Sequence, residues 1–277
     1  MTLDSLPLRK RGRPRKSQTE DAAPVQALLR GLRVIERVAQ HGPQPLADIA
    51  LGTNLPASTT HRLLLTLAEH QFVKFDQLTG RWLIGLKAYE VGQSFVRGRD
   101  VVSVARPKMD ELMSHVGETV SLALVDDEEI IFVAQVETEA SLRAFFPPGE
   151  RGPLHASGCG KAAIATWPDD RIADAVTRHG MERFTSNTLT TLPDLMAAVE
   201  QTRRLGWSVN DGEHTPAMRC VAAPIFDAAG NAVAAMSISG PASRVAESDL
   251  PDLGARIRHV AMEITAGIGG DTRFFAS

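Results

Sequence analysis

Residues 46–85 decide the fold of the N-terminal part of this chain and read LADIALGTNLPASTTHRLLLTLAEHQFVKFDQLTGRWLIG. Apolar residues at helical spacing predict a short first helix, and we expect Gly52 to supply the positive φ of the turn that follows. Pro56 suits the first turn of a second helix, because its missing N–H would have no partner there. Two strand-like runs follow at 73–76 and 81–84. Helix, turn, helix and hairpin together predict a winged helix-turn-helix.

The second helix of this stretch has the residue types of a helix that reads DNA. Small hydroxyl residues near its start and a basic residue one turn later can reach base edges and phosphates. The candidate DNA contacts are Ser58, Thr59, His61 and Arg62 on the helix and Lys74 and Arg81 on the wing. The alternative is a small helical domain without a DNA role, and the wing and the charge distribution favour DNA binding over it.

Charge is divided unevenly along the 277 residues, a length for which two domains are a fair expectation. The formal net charge is −3. Residues 1–99 carry 15 basic and 8 acidic side chains, whereas residues 100–277 carry 15 basic and 25 acidic ones. The first part suits a polyanionic partner and the second does not, which favours a DNA-binding head on an acidic sensor body.

Residues 1–23 have little to pack, and we expect them to be a disordered basic tail. They contain the run RKRGRPRK at 9–16, which resembles an AT-hook. Glycine and proline keep such a segment narrow, so that Arg11, Arg13 and Arg15 can enter an A·T minor groove. The alternative is a generic basic tail that adds only salt-dependent attraction, and both interpretations stay open.

The chain divides by pattern into four parts. After the tail, we expect the winged helix-turn-helix at 24–85, a linker helix at 86–105 and an effector-binding domain at 106–277. From Glu118 onward short period-two runs predict strands, interrupted by helical stretches. The predicted strands are 119–125, 130–136, 142–146, 207–210, 220–226 and 232–239. This pattern is typical of an α+β fold with a mostly antiparallel sheet.

The two cysteines, Cys159 and Cys220, lie far apart in sequence and do not make a disulfide framework. The N-terminus lacks the apolar run of a signal peptide, and no stretch of about 18 apolar residues occurs. We therefore expect a soluble, cytoplasmic protein with no membrane partner.

In order along residues 25–270, these pieces resemble the IclR family of bacterial transcription regulators. The resemblance is carried by PASTTHRLL at 56–64, GET at 117–119, PLHASGCGKA at 153–162, GWSV at 206–209, CVAAPIFD at 220–227 and SISGP at 237–241. It implies an N-terminal winged helix that dimerises on an operator in double-stranded DNA. It also implies a C-terminal GAF-like domain that binds a small organic acid, in a homodimer or homotetramer. We expect no enzymatic activity and no cofactor.

Within that family, the runs at 142–149 and 155–161 look most like the glyoxylate-responsive members, which regulate allantoin or β-hydroxyaspartate use. That likeness implies ligand contacts at Gly158, Cys159, Asn210, Cys220, Ser237 and Ser239. Asn210 departs from the aspartate expected there.

The residues themselves allow such a pocket. A helix start after Ser157 offers free N–H groups, and two serines spaced two apart face one side of a strand. Phe145 and Phe146 could close the site and keep it narrow. The alternative is that Ser157 and Gly158 form only a helix cap and the serines pack in a wet core.

Two other chemistries are open to these residue types. Cys159 with His155 allows a Cys–His nucleophile, but no third orienting group stands at a suitable spacing. Asp211, Glu213 and His214 lie near Cys220 in sequence and are metal-ligand types, giving a metal sensor as a further possibility. Their spacing matches no zinc pattern, and an acidic loop facing water explains them more simply. We expect neither catalysis nor a metal.

Deletion of residues 1–20 tests the tail, because it removes six basic and two acidic side chains. We expect weaker DNA binding without a change of operator. The salt dependence should become shallower, by about 0.9 in log–log slope for each phosphate that the tail no longer neutralises. Electrophoretic shifts over a salt series measure the slope. An unchanged slope would mean that the tail touches no phosphate, and weaker binding confined to A·T-rich flanks would favour the hook.

Overall fold

A computed structural model describes residues 24–97 and 100–276, so the predicted tail with Arg11, Arg13 and Arg15 lies outside the described residues. The chain divides into two compact units, Met1–Gln93 and Ser94–Ser277. Each described unit has its own buried apolar cluster.

Up to Ile84, the described part of the N-terminal unit contains three helices and a hairpin. They are α1 (Gln26–His41), α2 (Leu46–Thr53), α3 (Ala57–Glu69), β1 (Val73–Asp76) and β2 (Arg81–Ile84). The two strands pair antiparallel, with Val73 opposite Ile84. Their core consists of Val34, Val38, Ile49, Leu64, Val73 and Trp82. The predicted winged helix-turn-helix is confirmed.

The turn between α2 and α3 is made by a different residue from the one predicted. Asn54, with φ 52° and ψ 44°, occupies the left-handed region, and Gly52 is still inside α2. Asparagine adopts this conformation more readily than most residues because its short polar side chain can hydrogen-bond to the local backbone. Gly52 is constrained by packing instead, since a Cβ at this position would overlap the guanidinium of Arg37.

The second unit is a helix-covered sheet. The elements from the linker onward are α4 (Leu86–Arg97), α5 (Asp100–Val116), β3 (Thr119–Asp126), β4 (Glu129–Val136), β5 (Arg151–Gly152), α6 (Gly158–Ile164), α7 (Asp169–His179), α8 (Leu192–Leu205), β6 (Ser208–Asp211), β7 (Met218–Phe226), β8 (Ala232–Pro241) and α9 (Leu250–Gly267). The helix α4 spans the boundary between the two units, and α5 follows it before the first strand of the sheet. Short 3-10 turns lie at Glu247–Asp249 and Arg273–Ala276. The sheet order is β5-β4-β3-β8-β7-β6, and every described neighbour pair is antiparallel, which confirms the α+β class.

The two faces of this sheet differ in chemistry because side chains alternate along each strand. One face packs against α5 and α9 through large apolar residues such as Leu122, Met236 and Ile238. The other face meets α6 through small residues such as Ala222 and Ala235. Small residues leave space beneath α6.

The strand predicted at 142–146 is absent: this segment is irregular, and the next strand is β5. Two prolines, Pro147 and Pro148, follow it and cannot donate to a sheet ladder. The side chain of Gln135 takes the place of a neighbouring strand. Its Nε2 donates to the carbonyl of Ala144 at 2.9 Å, and its Oε1 accepts from the N–H of Phe146 at 2.9 Å.

The left-handed turn at Asn54 gives a test of the helix-turn-helix geometry. We expect Asn54→Val to lower the local stability of α2 and α3 by about 1–2 kcal/mol, because a β-branched residue is strained at this φ. Asn54→Gly is the control and should cost little. Amide hydrogen exchange of both helices measures the difference, and equal losses in the two variants would mean that the side chain, not the backbone, matters.

Candidate functional site

A cavity of about 370 Å³ lies between the start of α6, the strands β7 and β8, and the irregular segment at 142–146. Its lining includes all six residues predicted to bind a ligand: Gly158, Cys159, Asn210, Cys220, Ser237 and Ser239. The structure therefore brings these separate sequence pieces to one place. The volume lies toward the small end of the roughly 300–1,000 Å³ usual for small-molecule sites.

The floor of the cavity carries a pair of buried hydroxyls on β8. Ser237 and Ser239 are 2% and 3% exposed, and their Oγ atoms lie 3.5 Å apart, at the limit of a hydrogen bond. Ser237 also lies beside the thiol of Cys159, and Ser239 beside that of Cys220. Both hydroxyls therefore have only weak partners and can still bind an oxygen of a ligand.

Two further hydroxyls on the same sheet face were missed by the sequence analysis. Thr119 pairs in register with Ser239, and Ser121 with Ser237. Both β3 residues are 0% exposed, and within the described residues their hydroxyl oxygens have no hydrogen-bond partner. Such a group costs about 1–3 kcal/mol unless water or a ligand meets it. The signal was present: the two are spaced two apart on a predicted strand, like the serines of β8.

The start of α6 is partly used by its own cap. Ser157 Oγ accepts from the N–H of Gly160 at 2.9 Å and donates to the carbonyl of Pro153 at 2.9 Å. Gly158 must lack a side chain, because a Cβ there would overlap the Sγ of Cys220. The predicted cap thus exists, and Gly158 and Cys159 lie at the cavity wall beyond it.

Asn210 has both ends of its amide fixed by backbone groups. Its Nδ2 donates to the carbonyl of Ala156 at 2.6 Å, and its Oδ1 accepts from the N–H of Glu213 at 3.1 Å. An ionised aspartate could not donate to Ala156, so the amide is the side chain that this backbone arrangement requires. One N–H of the amide is left for the cavity.

The cysteines have the environment of structural thiols. Burial raises the pKa of the Cys159 thiol to about 12, and burial also raises the pKa of Cys220. His155, the candidate base, donates from Nε2 to the carbonyl of Glu182 at 2.9 Å and does not line the cavity. Because nucleophilic cysteines need a lowered pKa, the geometry gives the Cys–His hypothesis no support.

The sequence analysis placed Glu213 on an acidic loop that faces water, and for this residue the prediction is wrong. Glu213 is 8% exposed and forms a buried ion pair with Lys161, whose Nζ contacts both carboxylate oxygens, Oε2 at 2.6 Å. Burial raises the pKa of Glu213, and the Lys161 ammonium opposes that rise. Over residues 24–97 and 100–276, no group of three His, Cys, Asp or Glu side chains is arranged to hold a metal ion.

The predicted DNA contacts lie on α3 and the wing. Ser58, His61 and Arg62 are exposed on α3, and Thr59 is half-buried. The opposite side of α3 packs into the core through Thr60 and Leu64. Lys74 and Arg81 are exposed on β1 and β2, and Arg81 Nη1 also donates to the carbonyl of Pro43 at 3.1 Å.

Comparison with known proteins covers both units. The bacterial transcriptional regulator IclR C-terminal domain matches residues 93–266, and the IclR helix-turn-helix domain matches residues 27–77. The HTH-type transcriptional repressor AllR of Escherichia coli is 38% identical over 263 residues, covering 95% of this chain and 97% of that protein.

Solved structures agree with this likeness. A transcriptional regulator from Rhodococcus sp. RHA1 aligns with a TM-score of 0.79 at 32% identity, over 88% of this chain and 98% of that one. IclR of Thermotoga maritima aligns with a TM-score of 0.75 at 27% identity, over 87% and 98%. An IclR homolog from Microbacterium hydrocarbonoxydans, solved with 4-hydroxybenzoate, shares the fold at 21% identity and a TM-score of 0.76, over 87% and 98%.

The chain belongs to the IclR family of bacterial transcriptional regulators. It is a DNA-binding transcription regulator with a ligand-binding C-terminal domain, as the ordered sequence pieces predicted. In the part of the chain that is described, no helix is both long and apolar enough to cross a membrane.

Arg62 provides the test of the DNA-binding surface. We expect Arg62→Ala to weaken specific operator binding by about 1–3 kcal/mol while leaving the fold intact, because the side chain is exposed on the helix predicted to read the operator and is of a type that contacts base edges. Arg33→Ala removes the same charge from the exposed side of α1 and should leave the ratio of specific to non-specific affinity unchanged. Shift assays at matched salt measure that ratio. An unchanged specific affinity in Arg62→Ala would refute the assignment.

Proposed function

We propose that this regulator controls its operator binding through a small 2-oxo acid, glyoxylate first, held in the cavity of the second unit. The observation that carries the proposal is the pair of buried, weakly bonded hydroxyls of Ser237 and Ser239 facing a cavity of about 370 Å³. Two hydroxyls on one strand face can both donate to an aldehyde or keto oxygen. The orphaned hydroxyls of Thr119 and Ser121 extend the same polar row.

The carboxylate of such an acid has a cationic neighbour at the cavity wall. Arg143 lines the cavity, and its Nε pairs with Glu137 at 2.7 Å. Both side chains of that pair are more than a third exposed, so the pair is weak and easily exchanged for an anionic ligand. The remaining N–H of Asn210 adds a neutral donor. This arrangement supports an acid over a neutral or cationic effector.

The apolar part of the wall sets the shape of the site. Phe146 stacks on Phe132, with ring centroids 4.5 Å apart, whereas Phe145 is 59% exposed and covers the site only in part. The cavity is therefore less narrow than the two phenylalanines suggested. Glyoxylate would share it with water molecules, which supports a larger 2-oxo or aromatic acid as the second candidate. The Microbacterium homolog solved with 4-hydroxybenzoate is an example from the same fold.

Operator binding by α3 and the wing is proposed to take place in a homodimer or homotetramer. Exposed apolar side chains at and after the start of α1 and on α4 support association of copies. Val25 just before α1, Leu28 and Leu32 on α1, and Leu86, Tyr89 and Val91 on α4 are 45% to 67% exposed. The Escherichia coli relative is a repressor, and we propose repression for this chain, with the acid reducing operator affinity. Sedimentation of the full chain measures its oligomeric state, and a monomer at operator-binding concentrations would overturn this part.

The effector assignment is tested by Ser237→Ala combined with Ser239→Ala. We expect the double variant to lose the calorimetric signal with glyoxylate, because each missing hydrogen bond should weaken binding by roughly 1–3 kcal/mol. The melting midpoint without ligand should stay within a few degrees, since neither hydroxyl has a strong partner in the protein. Ser248→Ala, outside the cavity, is the matched control.

Two results would change this assignment. A double variant that binds glyoxylate as tightly as the parent places the site elsewhere. If pyruvate or an aromatic acid raises the melting midpoint of the unsubstituted protein and glyoxylate does not, the cavity remains the proposed site and the second candidate becomes the proposed ligand.

A further inference from the structure

The segment Leu142–Phe146 covers the cavity as a single layer of chain. All five of its residues line the cavity. Leu142 and Phe145 are 62% and 59% exposed to solvent, whereas Ala144 between them is only 4% exposed. One side of this segment therefore faces water and the other faces the ligand space.

The segment is held by side chains and not by a sheet. Within the described residues, no backbone-to-backbone hydrogen bond ends on residues 138–146. The carboxamide of Gln135 holds the C-terminal half of the segment through two bonds of 2.9 Å, one to the carbonyl of Ala144 and one from the N–H of Phe146. Gln135 is on β4, opposite Ser121, and Ser121 is opposite Ser237. The side chain of Gln135, which we call the latch, therefore lies in the same cross-strand row as Ser237 on the cavity floor.

Two further contacts hold the ends of the segment. Arg244 Nη2 donates to the carbonyl of Leu142 at 2.9 Å, and its guanidinium is paired with Glu118. Phe146 is stacked on Phe132. Both contacts are independent of Gln135. Removal of its carboxamide would therefore release the backbone of Ala144 and Phe146, while Leu142 and the Phe146 ring stay attached.

We propose that Gln135 is a positioning residue that holds the segment 142–146 closed over the cavity and sets how fast a ligand enters and leaves. Opening requires the breaking of the two Gln135 hydrogen bonds and movement of the exposed Arg143–Glu137 pair, which is a small local event compared with the separation of paired strands. The identity of the ligand rests on the proposed function above, but the closure itself does not.

Cys220 offers a probe of closure that needs no effector. It is half-buried and lines the cavity, and Cys159 is the only other cysteine of the chain. In a Cys159→Ala background, the reaction of Cys220 with dithiobis(nitrobenzoic acid) reports access to the cavity. Because the segment forms one wall of the cavity, we expect its opening to widen the path of the bulky anionic reagent to the thiol, which attacks the reagent's disulfide.

The experiment compares three variants of the full chain in that background. We expect Gln135→Ala, which removes both bonds, to speed the reaction of Cys220 by about five- to tenfold. Gln135→Glu keeps the acceptor for Phe146 and removes the donor to Ala144, so it should give a smaller increase. Gln201→Ala, on the exposed side of α8, is the matched control and should react like the parent.

Ligand kinetics give a second reading. Stopped-flow binding of glyoxylate to Gln135→Ala should show both association and dissociation accelerated, whereas removal of a simple ligand contact would change dissociation alone. Equal Cys220 rates in Gln135→Ala and Gln201→Ala overturn the proposal. If circular dichroism shows that the alanine variant is unfolded, an unchanged rate in Gln135→Glu overturns it instead. Absence of a calorimetric signal with glyoxylate in the unsubstituted chain overturns the effector assignment, and the comparison of Cys220 rates among the variants still decides the role of Gln135.

Discussion

The pairing of β8 with both β3 and β7 is the constraint on which the second unit depends. Ser239 lies opposite Thr119 on one side and Cys220 on the other, and Ser237 lies opposite Ser121 and Ala222. Because side chains alternate along a strand, a slip of one residue would move every hydroxyl to the face covered by α5 and α9. The large apolar residues of that face hold the register, and the polar cavity depends on it.

Close packing at α6 then sets the depth of the cavity. Gly158 lies against the sulfur of Cys220, and a Cβ at Gly160 would come within 2.6 Å of the backbone of Leu154. Without side chains at these positions, α6 can approach the sheet at Gly158 and the preceding loop at Gly160. Glycine at both positions, together with Ala222 on the sheet, leaves a space whose walls are small residues and whose cover is a loop.

Much of this arrangement could be predicted from local sequence, and the reasons for the failures are physical. The wing strands 73–76 and 81–84 are predictable because short β-rich runs around a turn are a local signal. The six cavity residues were placed together by likeness to a family and not by spacing, since residues 158 and 239 meet only through the sheet. Asn54 was missed because glycine is the usual residue at positive φ. The segment 142–146 was wrongly predicted as a strand. Its backbone is bonded to the side chain of Gln135 instead of to a neighbouring strand, and no periodic pattern in the sequence shows such a contact.

The buried ion pair of Lys161 and Glu213 has a consequence for how this sequence can change over generations. Removal of one partner leaves the other charge unpaired in the interior, at a cost of about 3–5 kcal/mol, which is much of the roughly 5–15 kcal/mol that stabilises a typical protein. Replacement of both by apolar residues can be neutral. We therefore expect replacement of this pair to require two nearly simultaneous substitutions, because each single substitution strongly destabilises the fold. A single substitution of Lys161 is thus opposed by the buried charge of Glu213.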